Sequence, residues 1–376
     1  MSEGLGGGRT WLALGLVLAT LLAGCASDKP KPAALETVAP KIAGRMVWTQ
    51  RLAKVDFPLG IVARDGQFVV AGGDGDVLAL DAQTGREVWR GNAGSALTAG
   101  VGSDGRHAAV VTRANELVVL DKGQRRWAAR LPSHAVTPPL VAGERVFVMG
   151  VDRGVRAYDV LDGRLLWVFE RAGEPLTLAQ PGLLAAYRNT LIAGNGASML
   201  GLDPTTGSVR WESAVASPRG TNEVERLADL VGPGVRVGDS ICVRSFQVAV
   251  GCIGGDAGVV RWNRNVGGIQ AVGGDTKTLF GADASDRIRA WNVANGDLLW
   301  THEKLVHRGL SAPAVAGGAV VFGDFEGQVH FMSRDSGDIQ LRLPTDGTAV
   351  VGPPVLSGTT LLVATKGGGL FAFRPE

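Results

Sequence analysis

Short runs of alternating residues, each ended by a turn, are the dominant pattern of this chain. In residues 77–90 (VLALDAQTGREVWR), the first five alternate with the period of two that is typical of a β-strand. The following DAQTG is turn sequence, because the Asp81 carboxylate can accept backbone N–H groups and Gly85 tolerates a positive φ. Residues 86–89 return as a second strand that ends in Trp89. The pattern predicts a β-hairpin.

The same hairpin recurs from one end of the chain to the other. Its terminal residues are Trp48, Trp89, Trp127, Trp167, Trp211, Trp262 and Trp300, with Leu341 in the equivalent position. Their spacing of 38 to 51 residues, with two earlier strands in each unit, is typical of the four-stranded blades of a β-propeller. We interpret the tryptophan row as packing between neighbouring blades rather than as a ligand site, because structural repetition alone accounts for one in every blade.

The two ends of the chain predict how the ring closes. The last unit has room for three strands, at residues 348–356, 360–365 and 369–373, and residues 45–49 supply a terminal strand that no other strand precedes. We therefore predict an all-β fold, an eight-bladed β-propeller over residues 45–376. Each blade has four antiparallel strands, and the N-terminal strand closes the ring in the last blade.

A targeting segment precedes the propeller. Residues 11–22 (WLALGLVLATLL) follow Arg9 and are too short to span a bilayer, which needs about 20 apolar residues. They end in LAGC, which resembles a bacterial lipobox and predicts a signal peptide over residues 1–24 with lipidation of Cys25. The alternative is an ordinary signal peptide with an incidental cysteine. The Pro-, Ala- and Lys-rich sequence that follows predicts a flexible tether, so residues 25–44 are interpreted as the lipidated cysteine and its tether.

The remaining cysteines, Cys242 and Cys252, lie in two strand-like runs around a turn. Each is five positions from Gln247, so a hairpin centred there places them opposite each other. An exported protein reaches an oxidising compartment. We predict a disulfide, with two buried free thiols as the alternative.

Composition gives little support for other classes of function. A net charge of +2 argues neither for nucleic acid nor for a polybasic membrane patch, and 55 glycines fit many tight turns. The five histidines form no HExxH motif and no serine lies in a G-x-S-x-G context. We predict no catalytic residue, no metal site and no cofactor.

Two irregularities in the repeat are the candidate functional site. The longest intervals are lengthened at residues 171–185 and 213–234, each between the last strand of one blade and the first of the next. Such loops share one face of a propeller, so the two insertions emerge side by side. The first carries Leu176 and Leu178; the second interleaves acids and Arg226 with apolar residues at a spacing that fits a short helix. A protein-binding surface and leucines that fold back over the propeller both remain open.

The signal sequence, tether and D-x-x-[TS]-G-x-x-x-W repeats resemble the BamB family, propeller lipoproteins of the outer-membrane β-barrel assembly machinery. More specific matches are residues 220–229 (GTNEVERLAD), residues 323–327 (GDFEG), and His307 and Arg308 in LLWTHEKLVHRGLSAPAV. The resemblance implies a non-catalytic scaffold, lipid-anchored at the periplasmic face of the outer membrane. It would bind the POTRA region of the barrel-forming subunit BamA, together with other assembly-complex subunits, and aid the folding and insertion of outer-membrane proteins.

By motif match, the resemblance assigns partner binding to Leu176, Leu178, Glu225, Arg226 and Asp229. The chain departs from the family pattern at Ala179, where an Arg is frequent, and at Val231, where a further acid is frequent. These departures shift the expected contact towards apolar anchoring.

Two alternatives come from other classes of protein. A quinoprotein dehydrogenase with pyrroloquinoline quinone has the same repeat, but Cys242 and Cys252 are not adjacent and no set of Ca²⁺-ligating acids stands out. A propeller that binds an unrelated periplasmic partner is the other alternative.

Overall fold

The computed structural model describes residues 30–57, 59–171, 176–218 and 220–376, and Cys25 with the predicted signal peptide lies outside these ranges. The chain divides into Met1–Pro32 and Ala33–Glu376, and the fold described here is that of the second unit. The described residues of that unit form 32 β-strands. Across the described ranges, no helix is long and apolar enough to cross a membrane.

The strands form eight four-stranded antiparallel sheets, the blades, whose strands we name A to D in order. Blade 1 consists of β2 (Val62–Arg64), β3 (Gln67–Ala71), β4 (Asp76–Asp81) and β5 (Glu87–Asn92), and blade 2 of β6 (Gly102–Ser103), β7 (His107–Val111), β8 (Glu116–Asp121) and β9 (Gln124–Arg130). Blade 3 consists of β10 (Leu140–Ala142), β11 (Arg145–Met149), β12 (Val155–Asp159) and β13 (Leu165–Phe169), and blade 4 of β14 (Leu184–Tyr187), β15 (Thr190–Asn195), β16 (Ser198–Leu202) and β17 (Val209–Ala214). Blade 5 consists of β18 (Leu230–Val237), β19 (Ser240–Ser245), β20 (Ala249–Gly254) and β21 (Val260–Arg264), and blade 6 of β22 (Gly273–Gly274), β23 (Thr278–Ala282), β24 (Ile288–Asn292) and β25 (Leu298–His302). Blade 7 consists of β26 (Ala314–Ala316), β27 (Ala319–Gly323), β28 (Gln328–Ser333) and β29 (Ile339–Pro344), and blade 8 of β30 (Val355–Ser357), β31 (Thr360–Ala364), β32 (Gly369–Pro375) and β1 (Gly44–Arg51).

The N-terminal strand closes the ring in blade 8, which confirms the predicted eight-bladed propeller. Strand β1 pairs antiparallel with β32, from Gly44 opposite Pro375 to Arg51 opposite Gly369, with one register shift between Met46 and Trp48. The first and last strands of the chain therefore complete one sheet. No blade is left without a neighbour, and the ring has no free end.

The middle strands of each blade are buried on both faces. Every residue of β7 (HAAVV) and of β31 (TLLVA) is buried, whereas the outer strand β5 alternates between exposed and half-buried residues. Blades stack face to face around the ring, so strands B and C need apolar side chains on both sides. This is why they read as continuous apolar runs, and why alternation is clearest in strand D.

The repeated hairpin joins each blade to the one before it. In blade 1, Asp81 Oδ1 accepts the backbone N–H of Thr84 at 2.8 Å, and Gly85 has a φ of 69°. The indole of Trp48, from blade 8, packs against Gly85 and its Nε1 donates to the carbonyl of Ala82 at 3.1 Å. Equivalent indole hydrogen bonds run from Trp127 to Val160, Trp167 to Pro204, Trp262 to Val293 and Trp300 to Arg334. These tryptophans are packing residues between blades.

Residues 33–42 lie along the outer edge of blade 7, which differs from the tether expected over residues 25–44. The backbone N–H of Ala33 donates to Val306 O at 3.0 Å, and that of Lys41 donates to Gln340 O at 2.8 Å. Leu35 packs on the buried cluster that includes Leu305 and Leu310. Small and apolar residues alternate only weakly in this segment, so its sequence does not differ visibly from that of a Pro- and Ala-rich linker. We name residues 33–42 the strap.

Cys242 and Cys252 are directly opposite each other on β19 and β20, with a Cα–Cα distance of 4.0 Å, and are joined by a disulfide in the structure. Both side chains are fully buried in blade 5. The pair lies in the middle of the sheet that follows the second insertion.

Candidate functional site

The two insertions lie next to each other at one face of the propeller. They connect strand D of blades 3 and 4 to strand A of the following blade; the D–A loops and B–C loops share this face, which we call the D–A face. At their bases, Gly182 forms a β-bridge with Val231, and the N–H of Gly232 donates to Pro181 O at 2.9 Å. The adjacency predicted from the repeat spacing therefore comes from backbone pairing between the two loops.

The two leucines of the first insertion have different environments. Leu176 is exposed over 36% of its surface. Leu178 is half-buried and packs with Phe246 against the small cluster of Val231, Ala271 and Ala312. In the second insertion Leu230 is buried and Val224 is 71% exposed. Leu230 thus belongs to the core, as the fold-back alternative predicts, and Leu176 and Val224 face solvent. That this exposed part binds a protein stays a prediction.

Asp229 is engaged inside the protein. Its Oδ1 accepts a hydrogen bond from Arg153 Nη2 at 3.0 Å, and its Oδ2 accepts the backbone N–H of Leu178 at 3.1 Å. Arg153 also donates to the carbonyl oxygen of Leu176, at 3.0 Å. Leu176, Leu178 and Asp229 therefore form one unit, although 51 residues separate Leu178 from Asp229 in sequence.

Glu225 and Arg226 lie in a turn of the second insertion where the sequence fits a short helix. The turn has two hydrogen bonds, from the N–H of Arg226 to Asn222 O and from that of Leu227 to Val224 O, both at 3.2 Å, and does not extend into a helix. The Glu225 carboxylate accepts the N–H of Thr221 at 2.7 Å, and this hydrogen bond lowers the pKa of Glu225. Asn222 Oδ1 accepts the N–H of Glu225 at 2.9 Å. The hydrogen-bonding groups of these side chains and of the backbone thus pair with one another within a single turn, so little is gained by extending the turn into a helix.

Three residues of this face do not stand out in the sequence. Arg153 and Phe246 come from the B–C loops of blades 3 and 5, and Ile269, 40% exposed, comes from the next D–A loop. Gln180 Nε2 donates to Ile269 O at 3.3 Å and so links the first insertion to that loop. The B–C turns of several blades repeat one backbone conformation, with positive φ at Asn115 and Arg153 for example, but the residue types at that position vary. Only knowledge that they share a face with the D–A loops directs attention to them.

The insertions border an open cavity of about 640 Å³ on the propeller axis. All eight blades contribute to its lining, among them Phe57, Leu59, Pro138, Pro181, Pro233 and Pro353. Asp56 and Lys366 are the charged residues among those that line it. The cavity is therefore a mainly apolar hollow at the centre of the D–A face.

The described ranges contain no group of three or more His, Cys, Asp or Glu side chains placed to hold a metal ion.

The fold and this surface define the class of protein: an eight-bladed propeller whose distinguishing feature is a loop surface on one face. The profile of the family described as "Outer membrane protein assembly factor BamB" matches residues 36–96, 73–302 and 284–376. Proteins of that name from Burkholderia pseudomallei (strain K96243) and Bordetella pertussis (strain Tohama I) are 36% and 33% identical to this chain. The matches cover 95% and 98% of both chains, respectively. The chain belongs to the BamB family.

Solved structures are similar in fold. The crystal structure of BamB from Moraxella catarrhalis has a TM-score of 0.79 at 23% identity, over 88% of this chain and 99% of that one. The quinohemoprotein alcohol dehydrogenase from Comamonas testosteroni has a TM-score of 0.67 at 14% identity, over 88% of this chain and 76% of that one. At these identities the likeness concerns the fold alone.

Proposed function

We propose that this protein is a non-catalytic scaffold lipoprotein of the outer-membrane β-barrel assembly machinery. It binds the periplasmic POTRA region of BamA through the two insertions on the D–A face and aids the assembly of outer-membrane proteins. The docking surface, as we use the term, is Leu176, Leu178, Glu225, Arg226 and Asp229. Acyl chains on Cys25 hold the protein at the periplasmic side of the outer membrane. Family membership, with relatives named as outer-membrane protein assembly factors, supports the assembly role.

One observation carries the docking proposal. Leu176 is exposed on an insertion that is pinned to a second insertion of the neighbouring blade. An exposed apolar side chain on a mobile loop is common, but one on a braced loop is pre-organised for contact with a partner. The half-buried Leu178 and Phe246 beside it extend the apolar area that a partner would cover.

Replacement of Leu176 by Asp tests the proposal. The purified protein is titrated against the POTRA domains of the homologous BamA, and the dissociation constant is measured. An apolar anchor at the centre of an interface contributes about 2 kcal/mol or more, so we expect binding at least roughly thirty-fold weaker. A charge at this position also places an unpaired carboxylate in the interface.

Leu161→Asp is the matched control. Leu161 is 53% exposed in the C–D turn of blade 3, at the opposite face of the propeller from Leu176. We expect unchanged affinity for this variant. Equal affinities of wild type and Leu176→Asp, with both proteins folded, would place the docking site elsewhere. Dye-linked alcohol oxidation dependent on pyrroloquinoline quinone would contradict the non-catalytic assignment.

A further inference from the structure

A single guanidinium group ties the two insertions together. Arg153 Nη2 donates to Leu176 O in the first insertion and to Asp229 Oδ1 in the second, both at 3.0 Å. Asp229 then accepts the N–H of Leu178 through its other oxygen, at 3.1 Å. The hydrogen bonds therefore run from Leu176 through Arg153 and Asp229 back to Leu178. Both leucines are held by groups outside their own loop.

This ion pair is well shielded from solvent. The side chains of Arg153 and Asp229 are 12% and 15% exposed. Charge-assisted hydrogen bonds in such a place are stronger than those of exposed pairs, which contribute little. The low exposure also leaves little of the Asp229 carboxylate for a partner to touch.

The backbone of Arg153 is fixed in a conformation that non-glycine residues avoid. Its φ is +60°, a left-handed conformation that costs about 1 kcal/mol or more for an L-residue with a side chain. The N–H of Arg153 donates to Gly150 O at 3.0 Å, and that of Val151 donates to His134 O at 2.8 Å. The B–C loop is thus braced, and the guanidinium is delivered from a rigid base.

We propose that Arg153 is a positioning residue of the docking surface, and that Asp229 supports binding through Arg153 and the Leu178 amide rather than by contact with a charge on the partner. This inference rests on the proposed function. Loops that are fixed before association lose less conformational entropy when the partner binds. With Asp229 neutralised by Arg153, the surface around Leu176 and Leu178 fits an apolar patch on the partner rather than a cationic one.

Hydrogen exchange in the free protein tests the brace itself. In Arg153→Met, the side chain stays unbranched and the φ of residue 153 is equally unfavourable for Met, but the guanidinium is lost. We expect the amides of residues 176–180 to exchange at least about ten-fold faster than in wild type, through local opening of the insertion. Exchange in the middle strands of blade 3 reports that the fold is intact. Unchanged exchange at residues 176–180 would overturn the inference without reference to any partner.

Affinity for the POTRA domains of BamA tests the positioning role. We expect Arg153→Met and Asp229→Asn each to bind about ten-fold more weakly than wild type, because the insertions must be ordered on binding. The double variant is expected to bind no more weakly than Asp229→Asn alone, since that variant already loses the ion pair with Arg153 and the acceptor of the Leu178 amide. Losses that add in the double variant would mean that Asp229 contacts the partner independently, which would contradict the inference.

Arg188→Met and Asp256→Asn are the controls. Arg188 also has a positive φ, of 51°, and pairs with Asp256 of the next blade at 2.7 Å, but this pair lies on the opposite face of the propeller. We expect neither control to change affinity. If wild type captures no POTRA domain, the proposed function fails while the exchange experiment still decides the brace. If Leu176→Asp abolishes capture and Arg153→Met does not weaken it, docking stands and the positioning role falls.

Discussion

At the level of single residues, buried and half-buried polar side chains in blade 7 and in the loop before it form one hydrogen-bonded chain. Arg308 Nε donates to Asp324 Oδ2 at 2.7 Å, and His330 Nε2 lies 3.1 Å from the same oxygen. Arg342 Nε donates to His330 Nδ1 at 3.2 Å. Because Arg can only donate, Nδ1 must be an acceptor, and His330 is held as the neutral tautomer with its proton on Nε2.

The same chain of residues reaches the strap. Arg308 donates to Ala33 O at 3.0 Å, Arg342 donates to Glu36 O at 2.7 Å, and Glu326 also pairs with Arg308. Burial disfavours the charged form of His330 and lowers its pKa; Asp324 partly opposes this shift. For Asp324, burial alone would raise the pKa, but hydrogen bonds from His330, the backbone N–H of Gln328 and Arg308 lower it.

His330→Gln tests the consequence for pH dependence. The pKa of His330 is lower in the folded protein than the ordinary value of 6.5, so the unfolded chain takes up a proton first as the pH falls. The stability contributed by neutral His330 is therefore lost progressively below about pH 6.5. A Gln side chain can donate to Asp324 and accept from Arg342, as His330 does, and it does not titrate. We expect a smaller loss of unfolding midpoint between pH 7.5 and pH 5.0 in the variant than in wild type.

Other titratable groups also contribute to how the stability of the protein depends on pH, and their contributions are expected in both wild type and variant. The pKa of His302 is also lowered by burial, so the variant keeps part of the pH dependence. Asp324 loses its contribution only as the pH falls from the ordinary value of 3.8 towards its lowered pKa in the folded protein, and this lies outside the tested range. Identical slopes for the two proteins would show that His330 is not held neutral.

At the scale of elements, the C–D hairpin turn is the joint between blades. The turn carries a Gly in the left-handed region, and the indole of the previous blade lies on that Gly. At Gly163, φ is +76° and an added Cβ would come within 2.7 Å of the Trp127 ring. The glycine is required for two reasons, its conformation and the space it leaves for the indole.

Gly163→Ala and Gly143→Ala separate these two reasons within one blade. Gly143 also has a positive φ, of 56°, but nothing lies within 4 Å of the position that an alanine methyl group would take there. We expect Gly143→Ala to lower the free energy of unfolding by about 1 kcal/mol, from conformation alone. Gly163→Ala adds overpacking against Trp127, which costs roughly 1–3 kcal/mol more. Urea unfolding measures the loss of free energy in both variants, provided that the dependence on urea concentration is unchanged. Equal losses in the two variants would mean that the Trp127 indole moves aside without cost.

At the scale of the whole molecule, the ring is closed by its termini and braced at its outer edge. Strand β1 completes blade 8, and the strap before it lies along blade 7, so the N-terminal sequence contributes to two blades. Within the proposed function, the protein has two links to the outer membrane, the acyl chains of Cys25 and the docking surface. A molecule held by two links is retained more strongly than one held by either link alone.

Fractionation of cells tests the two links. Residues 1–25 are replaced by a conventional cleavable signal sequence, which removes the lipid but not export. We expect this variant to stay partly in the outer-membrane fraction through BamA, and the same variant with Leu176→Asp to become soluble in the periplasm. Leu176→Asp with the native leader should remain membrane-bound through its lipid. Membrane retention of the doubly altered protein would contradict the assignment of these two links.

Much of the fold follows from the sequence itself. Period-two alternation, the Asp-to-Gly turns and the Trp spacing predict the strands, the eight blades and the closure by residues 45–49, and β1 is found at Gly44–Arg51. These signals are local and repeated, so each blade supports the same interpretation of the next. The two insertions are also visible in sequence, as breaks in a regular spacing.

Only the tertiary structure shows how the insertions are held and where the strap lies. Arg153 and Asp229 are 76 residues apart, and Arg342 and Glu36 are 306 apart. Hydrogen bonds and ion pairs between loops depend on which chain segments the fold brings within about 3 Å, and no periodicity records such a pairing. Strand pairing and blade packing repeat, so the ring and the places where its spacing breaks can be predicted from the sequence. The brace at Arg153 and the network at His330 are not part of the repeat, and they form only when folding brings their residues together.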